Sequence, residues 1–397
     1  MPHTRARHLS QWIKHYLKAS PSLCLIGQRQ TGKTTLIQSL AKKEYRLDRE
    51  SVRADLERNL QSRLESGPFP LLLDEAQKLP ALFDEIKASI DEKKIPGRYL
   101  LTGSVRLSSK KSIRESLTGR TLVLELLPLG LAETHHRPLS PIWDWLFDQK
   151  NPLDHSLLLK IQKQAWAHEK DLFRFLGSGG LPGICFQRDS DLRNELFQSH
   201  LDTLLGRDLS TIHASKLSQS KLSQLLILLA EQQGEPLNLS QLARKVGTTS
   251  PTIKAHLQAF EALFLVRELG KSYYFEDQGM ASFLQSHQPA LPQTEMRRLI
   301  FSELQQQLHY RYRRQVKLNA HQPKRGIQIP FVLTPALPGR PVAIMIEGET
   351  VASQSSLKAM SWFLKKKPRT IGLILHLGKT PLIHSPQTLS LPAHWVF

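Results

Sequence analysis

The stretch Ser22-Leu23-Cys24-Leu25-Ile26-Gly27-Gln28-Arg29-Gln30-Thr31-Gly32-Lys33-Thr34-Thr35 decides the fold. Ser22 to Ile26 is a short apolar run bounded by polar residues and reads as a buried strand. Gly27 to Thr34 matches the pattern G-x-x-x-x-G-K-[ST]. Lys33 to Ala41 reads as a helix with Leu36 and Leu40 on one face. Strand, glycine-rich turn and helix form a phosphate cradle. The glycines let successive backbone N–H groups face phosphate oxygens, and the helix N-terminus adds its positive dipole end. Gly27, Gln28, Arg29, Gln30, Thr31, Gly32, Lys33, Thr34 and Thr35 are therefore the expected nucleotide contacts. Lys33 is expected to reach the β- and γ-phosphates, and the Thr34 hydroxyl to bind Mg²⁺.

Outward from this loop, Phe69 to Glu75 reads F-P-L-L-L-D-E. Three leucines ending in two carboxylates read as a buried parallel strand that delivers acids to its C-terminal edge. Asp74 is the expected Mg²⁺ partner, acting through water, and Glu75 the base that orients and deprotonates an attacking water. A third strand, Tyr99 to Ser104, ends in small polar residues. Ser104 is a candidate to sense the γ-phosphate or position water; the alternative is a turn-forming residue. Together these elements predict an α/β core with a parallel sheet that binds and hydrolyses ATP.

The chain has 397 residues and a net charge of +19. That length suits several domains, and 40% hydrophobic with 22% charged residues is a globular composition. Residues 291–397 carry +11 of the charge, residues 1–20 carry +4, and 151–290 are neutral. Two distant cysteines, Cys24 and Cys185, argue against a disulfide framework or a thiolate zinc site, and fit a reducing cytoplasm. Neither the basic start nor the apolar runs Leu122 to Leu131 and Leu222 to Ala230 have the length of a signal or a membrane span, so no membrane partner is expected.

Residues 217–276 read as helix, helix, turn, helix and hairpin, the order of a winged helix-turn-helix. Lys221 to Gln232 is the first helix. Asn238 caps the second, Leu239 to Val246, which ends at Gly247. Ser250-Pro251 opens the third, with Ile253, Leu257 and Phe260 on its core face. Leu263 to Val266 and Tyr273 to Phe275 are the expected strands. Thr252, Lys254, His256 and Gln258 would line a DNA-reading face, with Lys271 on the wing. The alternative is a protein-packing or self-association module, since the segment is neutral and Lys254 is the only fixed positive charge on that face.

The runs D-E-A-Q-K-L-P (Asp74 to Pro80), L-T-G-S (Leu101 to Ser104), E-S-L-T-G-R (Glu115 to Arg120), L-L-P-L-G-L-A-E (Leu126 to Glu133), F-L-G-S-G-G-L-P (Phe175 to Pro182) and R-D-L (Arg207 to Leu209) carry a resemblance. In these the chain resembles the AAA-type P-loop ATPases of bacteria and archaea that have a trailing domain of unknown function, with a winged helix and a restriction-endonuclease-like end. The resemblance implies an AAA-type core over 1–133, a helical lid or linker over 134–216, the winged helix over 217–290 and a small basic α/β domain over 291–397. It implies that Arg120 or Arg207 could bring positive charge to the γ-phosphate, from the same chain or a neighbouring subunit. The alternative is a salt bridge, for Arg207 to Asp202 or Asp208.

Family members often end in a metal-dependent nuclease site of the pattern E-V-D-F-V-L … E-V-K. The matching residues here are Gln328-Ile329-Pro330-Phe331-Val332-Leu333 and Glu347-Gly348-Glu349. Proline cannot ligate a metal and glutamate does not replace a lysine, so no nuclease activity is expected. Two basic clusters interleaved with aromatics are candidate nucleic-acid contacts. One is Arg311, Arg313, Arg314 and Lys317 with Tyr310 and Tyr312; the other is Lys365, Lys366, Lys367 and Arg369 beside Trp362. A nucleotide-gated switch that binds a protein partner is the competing reading of the whole chain.

Overall fold

The computed structural model describes residues 5–106, 118–150, 152–285, 292–313, 315–323, 325–336 and 338–397. Glu115 to Leu117 and Arg314 lie outside them.

The N-terminal unit opens with α1 (Ser10–Leu17), β1 (Ser22–Ile26), α2 (Lys33–Gln38) and β2 (Lys43–Arg46). It continues through α3 (Glu50–Arg58), α4 (Leu60–Glu65), β3 (Leu71–Asp74), α5 (Ala81–Glu92), β4 (Tyr99–Gly103) and β5 (Thr121–Glu125). The five strands form one parallel sheet in the order β2-β3-β4-β1-β5. The apolar strands are buried on both faces, as a parallel sheet under helices requires. Cys24, Ile26, Leu71, Leu73 and Leu101 face one core with α5; Leu23, Leu25, Leu72 and Leu100 face the other with α1 and α2. Because β4 lies between β1 and β3, the loop after β1 and the acids after β3 flank it at one sheet edge. Helix α2 stops at Gln38, short of the expected Ala41.

Beyond the sheet come α6 (Leu131–Thr134), α7 (Ile142–Phe147), α8 (His155–Gln164), α9 (Glu169–Ser178) and α10 (Ser190–Thr203). The segment expected as one lid, 134–216, is divided between two cores. Trp143, Leu146, Ile161 and Phe175 pack with the C-terminal sheet, whereas Phe197, Leu201 and Leu204 pack with the next helices. Those are α11 (Gln219–Glu231), α12 (Leu239–Val246) and α13 (Ser250–Ala262), followed by the hairpin β6 (Val266–Leu269) and β7 (Ser272–Phe275), then α14 (Gln278–Leu284). Asn238 caps α12 and Gly247 ends it in the left-handed conformation. The cap of α13 is Thr249, not Ser250: its hydroxyl accepts the Thr252 N–H at 3.3 Å. The first hairpin strand begins at Val266 rather than Leu263, because Phe264 takes a positive φ of 57° that breaks strand geometry.

The C-terminal unit runs α15 (Pro292–Gln307), β8 (Val316–His321), β9 (Ile329–Pro335), β10 (Val342–Ile346), α16 (Gln354–Lys366), β11 (Ile371–His376), β12 (Leu382–Ser385) and β13 (Thr388–Pro392). Its sheet order is β12-β13-β11-β10-β9-β8. Helix α16 covers one face through Met360, Phe363 and Leu364; Leu299, Phe301 and Leu304 of α15 cover the other. Tyr310, fully buried, leaves this unit to join the core of the N-terminal sheet. Its hydroxyl accepts the Leu127 N–H at 2.8 Å, and its carbonyl accepts the Trp12 indole N–H at 2.6 Å.

Candidate nucleotide-hydrolysis site

The loop after β1 has the backbone a phosphate cradle needs. Gly27 and Gly32 have φ of 152° and 89°. A Cβ on Gly27 would stand 2.2 Å from the Leu126 carbonyl oxygen, so no other residue fits there. The Lys33 ammonium, buried, donates to the carbonyls of Gly27 and Gln28 at 2.9 and 2.8 Å. Burial lowers its pKa to about 8, although Glu75 and Asp74 pull the other way. A lysine so poorly solvated gains most from an incoming anion.

Across β4, the acids are held by hydroxyls. Asp74 Oδ1 accepts from Thr34 Oγ1 at 2.7 Å and from Thr102 Oγ1 at 2.5 Å. A hydroxyl and a carboxylate at this spacing fit a hydrated Mg²⁺ that would be bound directly by Thr34 and through water by Asp74. Glu75 falls just past β3 in a left-handed conformation, φ 58°, unusual for a non-glycine residue. Its N–H donates to Thr102 Oγ1 at 2.9 Å. Its carboxylate accepts from Ser104 Oγ at 2.9 Å and from Gln77 Nε2 at 2.5 Å. Ser104 therefore orients Glu75. The residue that sequence reasoning missed is Thr102, fully buried and touching both acids; alternation along β4 made it look like an ordinary strand residue.

Two further walls meet the loop. Arg7 is buried and grips it from the N-terminal arm: Nη1 donates to the Thr31 carbonyl at 2.7 Å, Nη2 to the Leu127 carbonyl at 2.5 Å, and Nε to Glu133 at 3.2 Å. From the opposite wall Asp208 takes both Nε and Nη2 of Arg29, at 2.8 and 3.2 Å. Gly179-Gly180-Leu181-Pro182 lies against the same loop, with Pro182 Cγ 4.0 Å from a Cβ built on Gly32. Gly180 must be glycine, because its Cβ would sit 2.0 Å from the Leu129 carbonyl oxygen. Its N–H donates to buried Asp277 at 2.7 Å, which ties this turn to α14.

The candidate arginines separate. Arg120 precedes β5, beside the start of β1, whereas the loop follows the end of β1. It is locked in a two-bonded pair with Asp91 at 2.6 and 2.7 Å. Within one chain Arg120 therefore takes the salt-bridge alternative, beside the start of β1 and away from the loop. The expected salt bridges of Arg207 are also absent among the described residues: Asp208 holds Arg29, and Asp202 accepts from Gln198 and Gln219. Arg207 is exposed on the Glu75 side. Lys78 is lowered first by partial burial and next by repulsion from Arg207, while Glu75 opposes both.

The candidate nucleic-acid residues divide as well. His256 is not on an exposed face: it is fully buried, bonded to Ser215 Oγ at 2.8 Å and the Thr252 carbonyl at 2.7 Å. Lys254 and Gln258 are exposed. The hairpin tip docks on the C-terminal unit, with the Lys271 N–H donating to Gln322 Oε1 at 2.8 Å. Arg311 and Tyr312 are consumed by Asp144, and Arg313 lies over the Trp12 and Tyr16 rings at 5.6 and 5.3 Å. The first basic cluster is thus largely an internal docking surface. The second is free: Trp362, Lys365, Lys366, Lys367 and Arg369 are all exposed, with Lys366 3.8 Å over the Trp362 ring. Among the described residues no cluster of three His, Cys, Asp or Glu side chains could hold a metal, and no helix is long and apolar enough to cross a membrane.

Comparison with known proteins agrees with this geometry. A model described as an AAA domain matches residues 19–135, and a domain of unknown function, DUF8612, matches 169–282. Residues 19–135 are thus similar to an AAA domain, and their parallel sheet and glycine-rich loop have the P-loop arrangement. Uncharacterized proteins of Mycobacterium bovis and Mycobacterium tuberculosis are each 25% identical over 261 residues, 65% of this chain and 51% of theirs. The chain therefore spans about half the length of the curated relatives it matches. A Walker-type ATPase of Pyrococcus abyssi superposes with a TM-score of 0.40 at 14% identity, covering 70% of this chain and 94% of that one. A signal transduction ATPase with numerous domains, carrying a tetratricopeptide repeat sensor, from Pyrococcus horikoshii gives 0.28 at 12%, covering 74% and 45%. Both are loose superpositions.

Proposed function

We propose that the chain hydrolyses ATP and uses its nucleotide state to reposition a winged-helix unit, residues 217–290, and a basic C-terminal domain on nucleic acid. One observation carries the hydrolytic part: Lys33, Thr34, Asp74 and Glu75 converge at one sheet edge, with Thr102 bonded to both acids. Lys33 and the loop N–H groups hold the β- and γ-phosphates. Thr34, and Asp74 through water, would hold Mg²⁺, which would neutralise charge developing on the β- and γ-phosphate oxygens. Glu75 takes the proton of a water that attacks the γ-phosphorus in line, and the bond to the ADP oxygen breaks. Arg207 stabilises charge on the transferred group from the lid side.

Lys33→Ala abolishes nucleotide binding or hydrolysis, and Glu75→Gln retains ATP without turnover; parental phosphate release by both variants would refute the assignment. The nucleic-acid part rests on the exposed cluster at the end of α16. Replacing Lys365, Lys366 and Lys367 by alanine lowers the salt slope of single-stranded DNA binding by about 2–3. The C-terminal domain does not cut, in keeping with Pro330 and Glu349 in place of an acid and a lysine; a Mg²⁺-dependent nick absent in Glu347→Ala would overturn this. A second reading, a slow switch gating a protein partner, is favoured by Glu75 being bonded to Ser104 and Gln77. A turnover unaffected by DNA, with tight nucleotide retention, would support it.

A further inference from the structure

Helix α10 continues into a π-helical turn, Leu204–Asp208. One α turn plus one wider π turn take up about eight residues. His200 and Asp208 are eight apart, so the π turn brings them to one face of the rod. Asp208 on that face holds Arg29 of the phosphate loop. His200 is 2% exposed, and neither ring nitrogen has a hydrogen-bond partner. Gln28, the neighbour of Arg29, is 1% exposed, and both its amide atoms also lack partners. A buried polar group left unsatisfied costs about 1–3 kcal/mol. A fold that keeps two such groups at a phosphate cradle leaves hydrogen bonds to be made there.

We propose that His200 is a nucleotide-binding residue, donating an imidazole N–H to the phosphate chain held by Arg29 and Lys33, so that α10 forms a second wall of the site. Burial, with repulsion from Arg29 and Lys33, lowers the His200 pKa to about 4. The ring is therefore neutral near pH 7 and carries one N–H donor and one acceptor. A neutral donor adds a directed bond without a further charge to desolvate.

The inference rests on the ATPase reading, and the variants separate the two. Affinities for ATP–Mg²⁺ and for inorganic tripolyphosphate are measured on the full chain, on Lys33→Ala, and on His200→Met and His200→Gln. Methionine fills the space without a donor; glutamine keeps one. His200→Met weakens both ligands about tenfold or more, and His200→Gln restores most of the loss. The unfolding midpoint of the ligand-free methionine variant stays level or rises, because no hydrogen bond is lost. Parental affinity in His200→Met, beside a weakened Lys33→Ala, overturns this inference alone. A loss for ATP but not for tripolyphosphate also overturns it, since the contact would then be to the nucleoside. If the parent binds neither ligand, both readings fall. Should His200→Met not fold, the ¹⁵N shifts of His200 in the parent decide: movement on adding tripolyphosphate supports the contact, and constancy refutes it.

Discussion

Replacing Thr102 by valine keeps the shape of a fully buried side chain and removes one oxygen. That oxygen donates to Asp74 at 2.5 Å and accepts the Glu75 N–H at 2.9 Å. A hydrogen bond to a charged acceptor contributes about 1.5–3 kcal/mol, and the orphaned N–H adds part of a similar penalty. The two losses overlap, so Thr102→Val should destabilise the chain by about 3 kcal/mol. The effect on turnover is separate. Glu75 occupies a left-handed backbone conformation, and Thr102 is what fixes its N–H. With that restraint gone the carboxylate loses its alignment, and misplacement on this scale costs about 100-fold in rate. Urea denaturation reads the first effect, and phosphate release under saturating ATP–Mg²⁺ reads the second. Thr102→Ser keeps the oxygen and should retain most of both. A valine variant with parental turnover and an unchanged denaturation midpoint would refute the reasoning.

Two predictions concern the junctions between units. Buried Glu303 is raised to about 7, by burial first and by Glu133 further, against the Gln307 amide that donates to it at 2.8 Å. The folded chain then keeps a proton that the unfolded chain releases above about pH 4.5. Its stabilising effect is complete below that pH and is lost as pH rises through 7, a fall of about 3 kcal/mol; in Glu303→Gln, chemical denaturation from pH 4.5 to 8 should lack that fall, and an identical profile would refute the assignment. Glu125 ends β5 and meets Arg106, Arg267 and His309 from three units. Burial alone would raise its carboxyl, yet these partners hold it well below the usual range. Glu125→Ala removes one of two carboxylates shared by Arg106 and Arg267, which keep Glu276, and should cost about 1.5–3 kcal/mol in unfolding, with a null effect on the denaturation midpoint counting against the network.

The N-terminal core was legible because each of its signals is local. A buried strand, a glycine turn and a helix follow one another within Ser22 to Gln38, and the leucines before Asp74 leave one reading of their strand. Thr102 was illegible for the opposite reason. A threonine in a strand is common, and only the insertion of β4 between β1 and β3 turns it toward the Asp74 carboxylate and the Glu75 N–H. Arg29 and Asp208 lie 179 residues apart, and no periodicity connects them.

The first basic cluster was misread for one physical reason. Arg311, Arg313 and Tyr312 have the composition of a nucleic-acid surface, yet the same chemistry serves a docking surface: a guanidinium satisfies Asp144 or covers Trp12 as readily as it holds a phosphate. Net charge counts both uses alike. It overstated the free positive surface of the C-terminal unit, where Lys365, Lys366, Lys367 and Arg369 remain exposed while Arg311 does not. The docking has a consequence for coupling. Leu127, two residues after β5, donates its N–H to the Tyr310 hydroxyl and accepts from Arg7 at its carbonyl, and Arg7 also holds the Thr31 carbonyl in the phosphate loop. Buried bonds thus connect the Thr31 carbonyl of the loop, through Arg7 and Leu127, to Tyr310 of the C-terminal unit. That connection needs no motif, and a sequence read by motifs alone passes over it.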